Sequence, residues 1–196
     1  MKNEKRKTQK AKVFFTASYY GKTKFQKEYD LVLKKIEECN VEVIGTEKGN
    51  YSKLIGKAED EAIFEDKSLH YRAIKKGIQW ADAVIIEMSN EDFQLGHEAT
   101  LAMQAKKPVL CLSLYEDFSK KVNNPYFFGA KYNEYNVGQV IRNFIGSLQR
   151  EKLSERFNCF FSKRQVAYLE KKASECDMNM SEYLRKLIRE DEGNRS

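Results

Sequence analysis

Hydrophobic positions in the first 150 residues fall into two kinds of segment, short apolar runs and longer stretches with helical spacing. The apolar runs predict five β-strands, the fifth with the weakest pattern: Lys12–Ala17, Val41–Ile44, Ala83–Glu87, Pro108–Leu114 and Tyr132–Tyr135. Apolar residues that recur every three or four positions predict four helices: Gly21–Cys39, Ser68–Trp80, Gly96–Ala105 and Val137–Leu148. Residues 46–66 and 115–130 are mainly polar, and we expect them to form loops, the first with a short helix.

Strands that alternate with helices predict a parallel sheet with helices on both faces. We therefore expect a flavodoxin-like (Rossmann-like) α/β domain with five parallel strands. Ligands of such domains bind beyond the carboxyl ends of the strands. Three segments should meet there: Thr16–Tyr20, Met88–Glu98 and Leu114–Gly129.

The hydrophobic pattern changes after residue 150. Alternation in Arg156–Phe161 predicts a strand, and two short helices should follow, capped by Ser162 and Ser181. One strand and two helices cannot bury an apolar face alone, so this segment needs a partner strand, most simply from a second copy of the chain. The chain thus divides into a basic flexible arm, an α/β domain, a hinge, a small C-terminal domain and a flexible tail: 1–11, 12–150, 151–155, 156–190 and 191–196.

Composition narrows the class of protein. Hydrophobic residues make up 41% of the 196 and aromatic residues 12%, which is enough for a buried core. No apolar run approaches the roughly 18 residues of a membrane helix, and the N-terminus lacks the apolar segment of a secretory signal. The four cysteines are scattered without CxxC spacing, and we expect them to be reduced thiols of the core: Cys39, Cys111, Cys159 and Cys176. We therefore expect a cytoplasmic protein that binds no metal or cofactor and does not contact a membrane.

The net charge of +6 is unevenly distributed. Residues 1–12 carry six Lys or Arg and one acid, residues 13–149 carry 18 bases and 19 acids, and residues 150–196 carry 11 bases and nine acids. A basic N-terminal arm suits contact with the phosphate backbone of nucleic acid. For so short an N-terminal arm, a solubilising tail explains the charge equally well.

Glu98 is the main candidate for chemistry. The predicted helix Gly96–Ala105 places it in the first turn, where the helix dipole and free N–H groups favour a carboxylate. An ionised carboxylate can act as a nucleophile or an electrostatic stabiliser, and Gly96 lets a ligand approach the backbone closely. Acids are also common in first turns for stability alone, so position does not decide between the two interpretations.

The segment from Ala81 to Leu112 resembles the signature of the nucleoside 2-deoxyribosyltransferase family, which includes the nucleoside 5′-monophosphate N-glycosidases. The shared features are an Ala-Asp pair before an apolar strand, a polar loop, Gly-x-Glu at a helix start and Lys-Pro before the next strand: Ala81-Asp82, Ser89–Leu95, Gly96-His97-Glu98 and Lys107-Pro108. The turn after the first strand and the segment from Asn123 to Ala130 are also similar to the family. The resemblance spans roughly residues 12–150.

The resemblance implies a covalent two-step reaction. Glu98 would attack the anomeric carbon of a ribosyl or deoxyribosyl group as the base leaves, and water or a second base would then release the sugar. Asn124 matches a family position that orients the glutamate or the sugar from an adjoining subunit, which implies a homodimer or higher homo-oligomer with a shared site. Further substrate contacts are implied for residues of the converging loops: Thr16, Ala17, Ser18, Tyr19, Tyr20, Ser89, Gly96 and His97.

Two positions depart from the family pattern. The family carries an aspartate on the helix before the third strand, where it contacts the sugar and helps to protonate the leaving base, but the matching position here lies near Ile74. A general acid that protonates the leaving group typically raises the rate roughly 10²–10⁴-fold, so its loss would matter. His70 and Asp92 are the candidates to replace it. The family also often has Tyr where Phe14 stands, and the two tyrosines after the first strand are candidates for that hydroxyl.

The segment from Arg156 to Glu190 resembles a ribbon-helix-helix domain, with an alternating strand, a helix, a short turn and a second helix that opens with Ser-Glu-x-Leu-Arg. In that family, paired strands of two chains enter the major groove of DNA. The resemblance implies three outward base-reading side chains and a phosphate contact at a helix N-terminus: Arg156, Asn158, Phe160 and Ser181. Phe160 departs from the usual polar reader, and a dimerisation module without DNA binding is the alternative.

Three hypotheses about function follow. The first is an enzyme that cleaves the N-glycosidic bond of a nucleoside or nucleotide, or transfers its (deoxy)ribosyl group, through Glu98. The second is a nucleotide-sensing, DNA-binding regulator with little turnover, which the missing aspartate favours. The third is a defence effector that depletes NAD or other nucleotides.

Overall fold

The structure of the chain is a computed structural model that describes residues 10–55, 67–150 and 157–193. The chain divides into two compact units, Met1–Lys152 and Leu153–Ser196. All strands of the described residues lie in the first unit, and the second unit contains two helices.

The first unit alternates strands with helices, as predicted. Its strands are β1 (Lys12–Ala17), β2 (Glu42–Gly45), β3 (Ala83–Glu87), β4 (Val109–Ser113) and β5 (Phe127–Lys131). The α-helices among its described residues are α1 (Lys22–Glu37), α2 (Lys67–Trp80), α3 (Phe93–Gln104) and α4 (Val137–Arg150). Short 3-10 turns occur at Tyr19–Gly21, Tyr51–Leu54 and Phe118–Lys120.

The sheet is parallel throughout, with the strand order β2-β1-β3-β4-β5. This is the flavodoxin-like order, and it confirms the predicted α/β fold. The direction of strand addition reverses between β1 and β3, and in open parallel sheets ligands bind beyond the carboxyl edge at such a point. The loops that follow β1 and β3 lie at this edge.

Helices cover both faces of the sheet. One core contains Phe15 of β1 with Tyr29 of α1 and Ile141 of α4. The other contains Phe14 of β1 with apolar residues of α2 and α3. Successive residues of β1 are therefore buried on opposite faces, which explains why the strand reads as a continuous apolar run. Gly77 lets α2 lie against the Phe14 ring, because a Cβ at this position would collide with the ring.

The fifth strand is Phe127–Lys131, so the prediction of a strand at Tyr132–Tyr135 is wrong, and the predicted loop 115–130 ends at residue 126 instead. This edge strand is only partly buried and contains Gly129, and both features weaken its apolar pattern. Gly129 is needed because a Cβ there would collide with the preceding 3-10 turn. Tyr132 lies just beyond the strand and is buried.

Helix α3 begins at Phe93 rather than at the predicted Gly96. The Asp92 carboxylate caps it by accepting a hydrogen bond from the Leu95 N–H at 2.9 Å. Glu98 consequently lies in the second turn, and its predicted first-turn position is wrong.

The second unit contains α5 (Lys163–Glu175) and α6 (Met180–Gly193). Ser162 caps α5 together with Gln165, as predicted for Ser162. The cap of α6 is Asn179, whose side-chain oxygen accepts from the Glu182 N–H at 3.0 Å. The prediction that Ser181 caps this helix is therefore wrong, because Ser181 lies inside it.

Residues 157–162 form no regular element within the single chain, and Arg156 lies outside the described residues. A strand is defined by its pairing, so the predicted strand Arg156–Phe161 stays a prediction. The small core of the second unit is formed by Leu169, Ala173 and Tyr183. Several large apolar side chains of the unit are exposed: Phe157, Phe160, Phe161, Tyr168, Met180, Leu187 and Ile188.

All four cysteines are free thiols. Cys111 is buried, but Cys159 is exposed in the unpaired segment before α5, so the prediction of a core thiol is wrong there. Within the described residues, no helix is both long enough and apolar enough to cross a membrane.

Candidate active site

Buried polar side chains collect at the carboxyl edge of the sheet, around the ends of β1, β3 and β4. The buried polar set of the described residues is Thr16, Ser18, Glu87, Ser89, Glu98 and Ser113. Burying polar groups costs free energy unless they are paired. Their concentration at the point where strand order reverses marks this edge as the candidate ligand site.

Glu98 enters the site from the second turn of α3 and is only 2% exposed. Its Oε1 accepts a hydrogen bond from Gln94 Nε2 at 2.9 Å. Its Oε2 has no hydrogen-bond partner of good geometry among the described residues. A buried carboxylate oxygen without a partner is costly, and it is therefore available to a ligand.

Burial raises the pKa of Glu98 to about 7. The neighbouring Asp92 raises the pKa further, while the hydrogen bond from Gln94 and the nearby Thr16 hydroxyl lower it. Desolvation thus opposes the ionised form that the helix position was expected to favour. Near neutral pH, Glu98 is balanced between its protonated and ionised forms.

Glu87 is a second buried carboxylate, which the sequence analysis did not identify. It ends β3 and is fully buried. It accepts hydrogen bonds from the Ser89 hydroxyl, from the Ser89 N–H at 3.2 Å and from the Tyr132 hydroxyl at 2.9 Å. Burial raises its pKa, and these hydrogen bonds lower it. A Glu at the end of an apolar run, two residues before a Ser, was the available signal.

Ser89 connects Glu87 to the neighbouring strand end. Its hydroxyl donates to Glu87 and accepts from the Leu114 N–H at 2.9 Å. Together with Tyr132, it ties the chain after β3 to the chain after β4 and β5. These contacts give Ser89 a structural role, and its predicted contact with substrate stays a prediction.

The turn after β1 forms the other wall of the site. Ser18 Oγ accepts a hydrogen bond from Asn90 Nδ2 at 2.9 Å, which joins this turn to the loop after β3. Thr16 Oγ1 accepts from Thr46 Oγ1 at 3.2 Å. Tyr19 and Tyr20 project outward and are 74% and 81% exposed. The structure thus places Thr16, Ala17 and Ser18 at the buried edge and the two tyrosines at its rim.

Neither predicted acid hydrogen-bonds to Glu98 directly. Asp92 caps α3 and acts on Glu98 by charge. His70 Nε2 lies 3.1 Å from Gln94 Nε2, and His70 Nδ1 lies 3.2 Å from the Tyr51 hydroxyl. Burial lowers the pKa of His70.

The remaining predicted residues of α3 lie on its outer surface. His97 is exposed and stacks between the rings of Tyr71 and Phe93, with centroid distances of 5.7 Å and 6.4 Å. Gly96 is exposed, and a Cβ added there would meet no atom of the chain within 4 Å. Its predicted role in ligand approach stays a prediction.

Asn124 lies in the turn that precedes β5, where its side-chain oxygen accepts from the Tyr126 N–H at 2.9 Å. Its predicted contact with an adjoining subunit stays a prediction. In the second unit, Asn158 and Phe160 are exposed and Ser181 lies in the first turn of α6. Their predicted contacts with DNA also stay predictions.

No group of three or more His, Cys, Asp or Glu in the described residues could hold a metal ion.

No protein-family model matches the chain. Among curated proteins, the chain is similar to a 5-hydroxymethyl-dUMP N-hydrolase from Danio rerio, with 25% identity over 150 residues that cover 70% of this chain and 98% of the relative. Among solved structures, it is similar to the CMP N-glycosidase of Clostridium botulinum, with 17% identity and a TM-score of 0.44 over 66% of this chain and 97% of that chain. A superposition at this level carries no inference.

The similarity to the Danio rerio protein extends over nearly the whole of that enzyme.

Proposed function

We propose that the first unit hydrolyses the N-glycosidic bond of a nucleoside 5′-monophosphate, with Glu98 as the nucleophile. The observation that carries the proposal is the unpartnered Oε2 of Glu98, buried at the point where strand order reverses. The similarity to a nucleotide N-hydrolase supplies the substrate class.

The reaction proceeds in two steps. Glu98 Oε2 attacks the anomeric carbon, the carbon–nitrogen bond breaks, and the base leaves with the electron pair of that bond and takes up a proton. Water then attacks the anomeric carbon of the glycosyl ester, which releases the sugar phosphate and restores the carboxylate. A pKa near 7 gives Glu98 an ionised fraction for the first step and makes it a fair leaving group in the second.

Hydroxyls of the turn after β1 suit the sugar phosphate. Ser18 Oγ accepts from Asn90, so its own hydrogen remains available to a ligand oxygen. Tyr19 and Tyr20 stand at the rim, within the same turn. Substrate contacts at Thr16, Ala17 and Ser18 belong to this proposal.

A panel assay tests the proposal. The protein is incubated with ribonucleotides, deoxyribonucleotides and NAD, and free base is measured by chromatography. Glu98→Gln should abolish release, while the matched control Glu91→Gln, at an exposed position of the loop that precedes α3, should retain it. Acid quench during turnover should leave a sugar phosphate on the peptide that contains Glu98. Tight nucleotide binding without base release in the parent protein would favour the regulator, and release from NAD alone would favour the NAD-depleting effector.

We propose that the second unit pairs with a second copy of the chain as a ribbon-helix-helix dimer. The supporting observation is its small core, which leaves Phe157, Phe160 and Ile188 exposed. Light scattering of the full chain should give a dimer or a higher oligomer, and Ile188→Glu should weaken it. The control Lys171→Glu, at an exposed position of α5, should not. A monomer in the parent protein would refute this pairing.

We also propose that the paired strands of this dimer bind DNA. Arg156→Ala and Asn158→Ala should each weaken retention on a DNA column at moderate salt. If the parent protein is not retained at low salt, the unit serves dimerisation only.

A further inference from the structure

Four side chains from three elements form a continuous hydrogen-bonded line that ends on Glu98. Gln94 Nε2 lies 2.9 Å from Glu98 Oε1 and 3.1 Å from His70 Nε2. His70 Nδ1 in turn lies 3.2 Å from the Tyr51 hydroxyl. Glu98 and Gln94 belong to α3, His70 belongs to α2, and Tyr51 belongs to the 3-10 turn after β2.

The amide nitrogen of Gln94 fixes the position of the proton on His70. This nitrogen has two hydrogens and accepts none, so it donates both to Glu98 Oε1 and to His70 Nε2. His70 Nε2 must then be unprotonated, and the single ring proton lies on Nδ1, which donates to the Tyr51 hydroxyl. Burial lowers the pKa of His70, which favours this neutral form. Tyr51 is itself buried and packs edge-on against the imidazole, with the ring centroids 5.7 Å apart.

We propose that His70 is a positioning residue, which orients the Gln94 amide so that its N–H holds the Glu98 carboxylate for attack. The inference rests on the proposed role of Glu98 as nucleophile. It gives His70 a different task from the acid role predicted from sequence, because an Nε2 that accepts from Gln94 has no proton to give to a leaving base.

The hydrogen-bonded line that ends on Glu98 affects the pKa of this carboxyl group. The hydrogen bond from Gln94 lowers the pKa of Glu98, as does Thr16 of β1, whereas burial and Asp92 raise it. Among the described groups, Asp92 is the charged neighbour that acts on Glu98, and Gln94 opposes its effect. Loss of the Gln94 hydrogen bond should therefore move the titration of Glu98 to higher pH.

Two substitutions of His70 separate positioning from acid catalysis. In His70→Gln, a side-chain oxygen near the former Nε2 can still accept from Gln94, but the bond to Tyr51 is lost. In His70→Asn, a side-chain nitrogen near the former Nδ1 can still donate to Tyr51, but the acceptor for Gln94 is lost. Neither side chain can be protonated in the working pH range, so an acid role predicts equal losses for the pair.

The positioning role predicts unequal losses. His70→Asn should lower kcat about 10-fold or more, as expected for a lost hydrogen bond to a charged group, while KM changes little. His70→Gln should lower kcat less, and the acid limb of its pH profile should stay closer to that of the parent protein. Gln94→Leu, at an exposed position, should match His70→Asn, and the double variant should add little further loss.

Nuclear magnetic resonance tests the line without turnover. Carbon-13 titration of the Glu98 carboxyl should show a higher pKa in His70→Asn and Gln94→Leu than in His70→Gln. Nitrogen-15 shifts of His70 should show the proton on Nδ1. If nucleotides are not cleaved but these spectra behave as stated, the proposed function fails and the hydrogen-bonded line stands. Equal losses in the two His70 variants, an unchanged Glu98 titration in Gln94→Leu, or a proton on Nε2 would overturn the inference.

Discussion

Replacing Glu98 by Gln should stabilise the protein at alkaline pH while it removes the proposed nucleophile. The pKa of Glu98 rises from 4.5 to about 7 on folding, chiefly because of burial. The folded protein thus holds this proton more tightly than the unfolded chain, so stability falls as pH rises from 4.5 to about 7 and is level above that. Since one pKa unit corresponds to ~1.4 kcal/mol, the ionised carboxylate destabilises the fold by about 3 kcal/mol.

Urea unfolding of the parent protein and of Glu98→Gln at pH 5 and pH 8.5 measures this destabilisation by the ionised carboxylate. The single Trp80 lies at the end of α2, so its fluorescence reports on the first unit. The stability gained by the substitution should be about 2–3 kcal/mol larger at pH 8.5 than at pH 5. Glu134→Gln, at an exposed loop position, is the matched control and should show no such difference. A gain that does not depend on pH, or one that is larger at pH 5, would refute the burial argument.

Three further predictions follow from the same contacts. The kcat/KM for base release should fall about tenfold for each pH unit below about 7, as Glu98 takes up its proton, and a flat profile from pH 5 to 8 would contradict this. Tyr132→Phe removes one donor to the buried Glu87 and should lower the free energy of unfolding by about 1–3 kcal/mol, measured in urea, whereas Tyr135→Phe, at an exposed position, should have little effect. Gly77→Ala places a Cβ against the Phe14 ring and should lower that free energy by about 1–3 kcal/mol, an expectation that unchanged stability would exclude.

The fold could be predicted from sequence wherever strands are buried on both faces. Lys12–Ala17 and Ala83–Glu87 read as continuous apolar runs, and the structure places β1 and β3 at those positions. The edge strand β5 was not predicted, because its side chains are partly exposed and Gly129 interrupts the run of apolar residues. The start of α3 was misplaced because Gly96 was taken as the opening residue, although Asp92 is a favoured cap.

The site could be predicted only in part. Glu98 stood out through the Gly-x-Glu pattern, but its charge state depends on burial by residues distant in sequence. Glu87 was read as the last residue of a strand, because nothing local shows that Ser89 and Tyr132 would converge on it. Contacts of this kind depend on strand order, which sequence pattern alone does not give.

The network around Glu87 has a consequence for changing specificity. The hydrogen bonds of Glu87 with Ser89 and Tyr132, and of Ser89 with Leu114, join the chain after β3 to the chain after β4 and β5. Substitutions in this network should therefore disturb several loops together. The rim is different, because Tyr19 and Tyr20 are largely exposed and contribute little to the core. Substitutions at these two positions should therefore cost little stability, and under the proposed function they are the first to vary in a library that seeks a changed substrate preference.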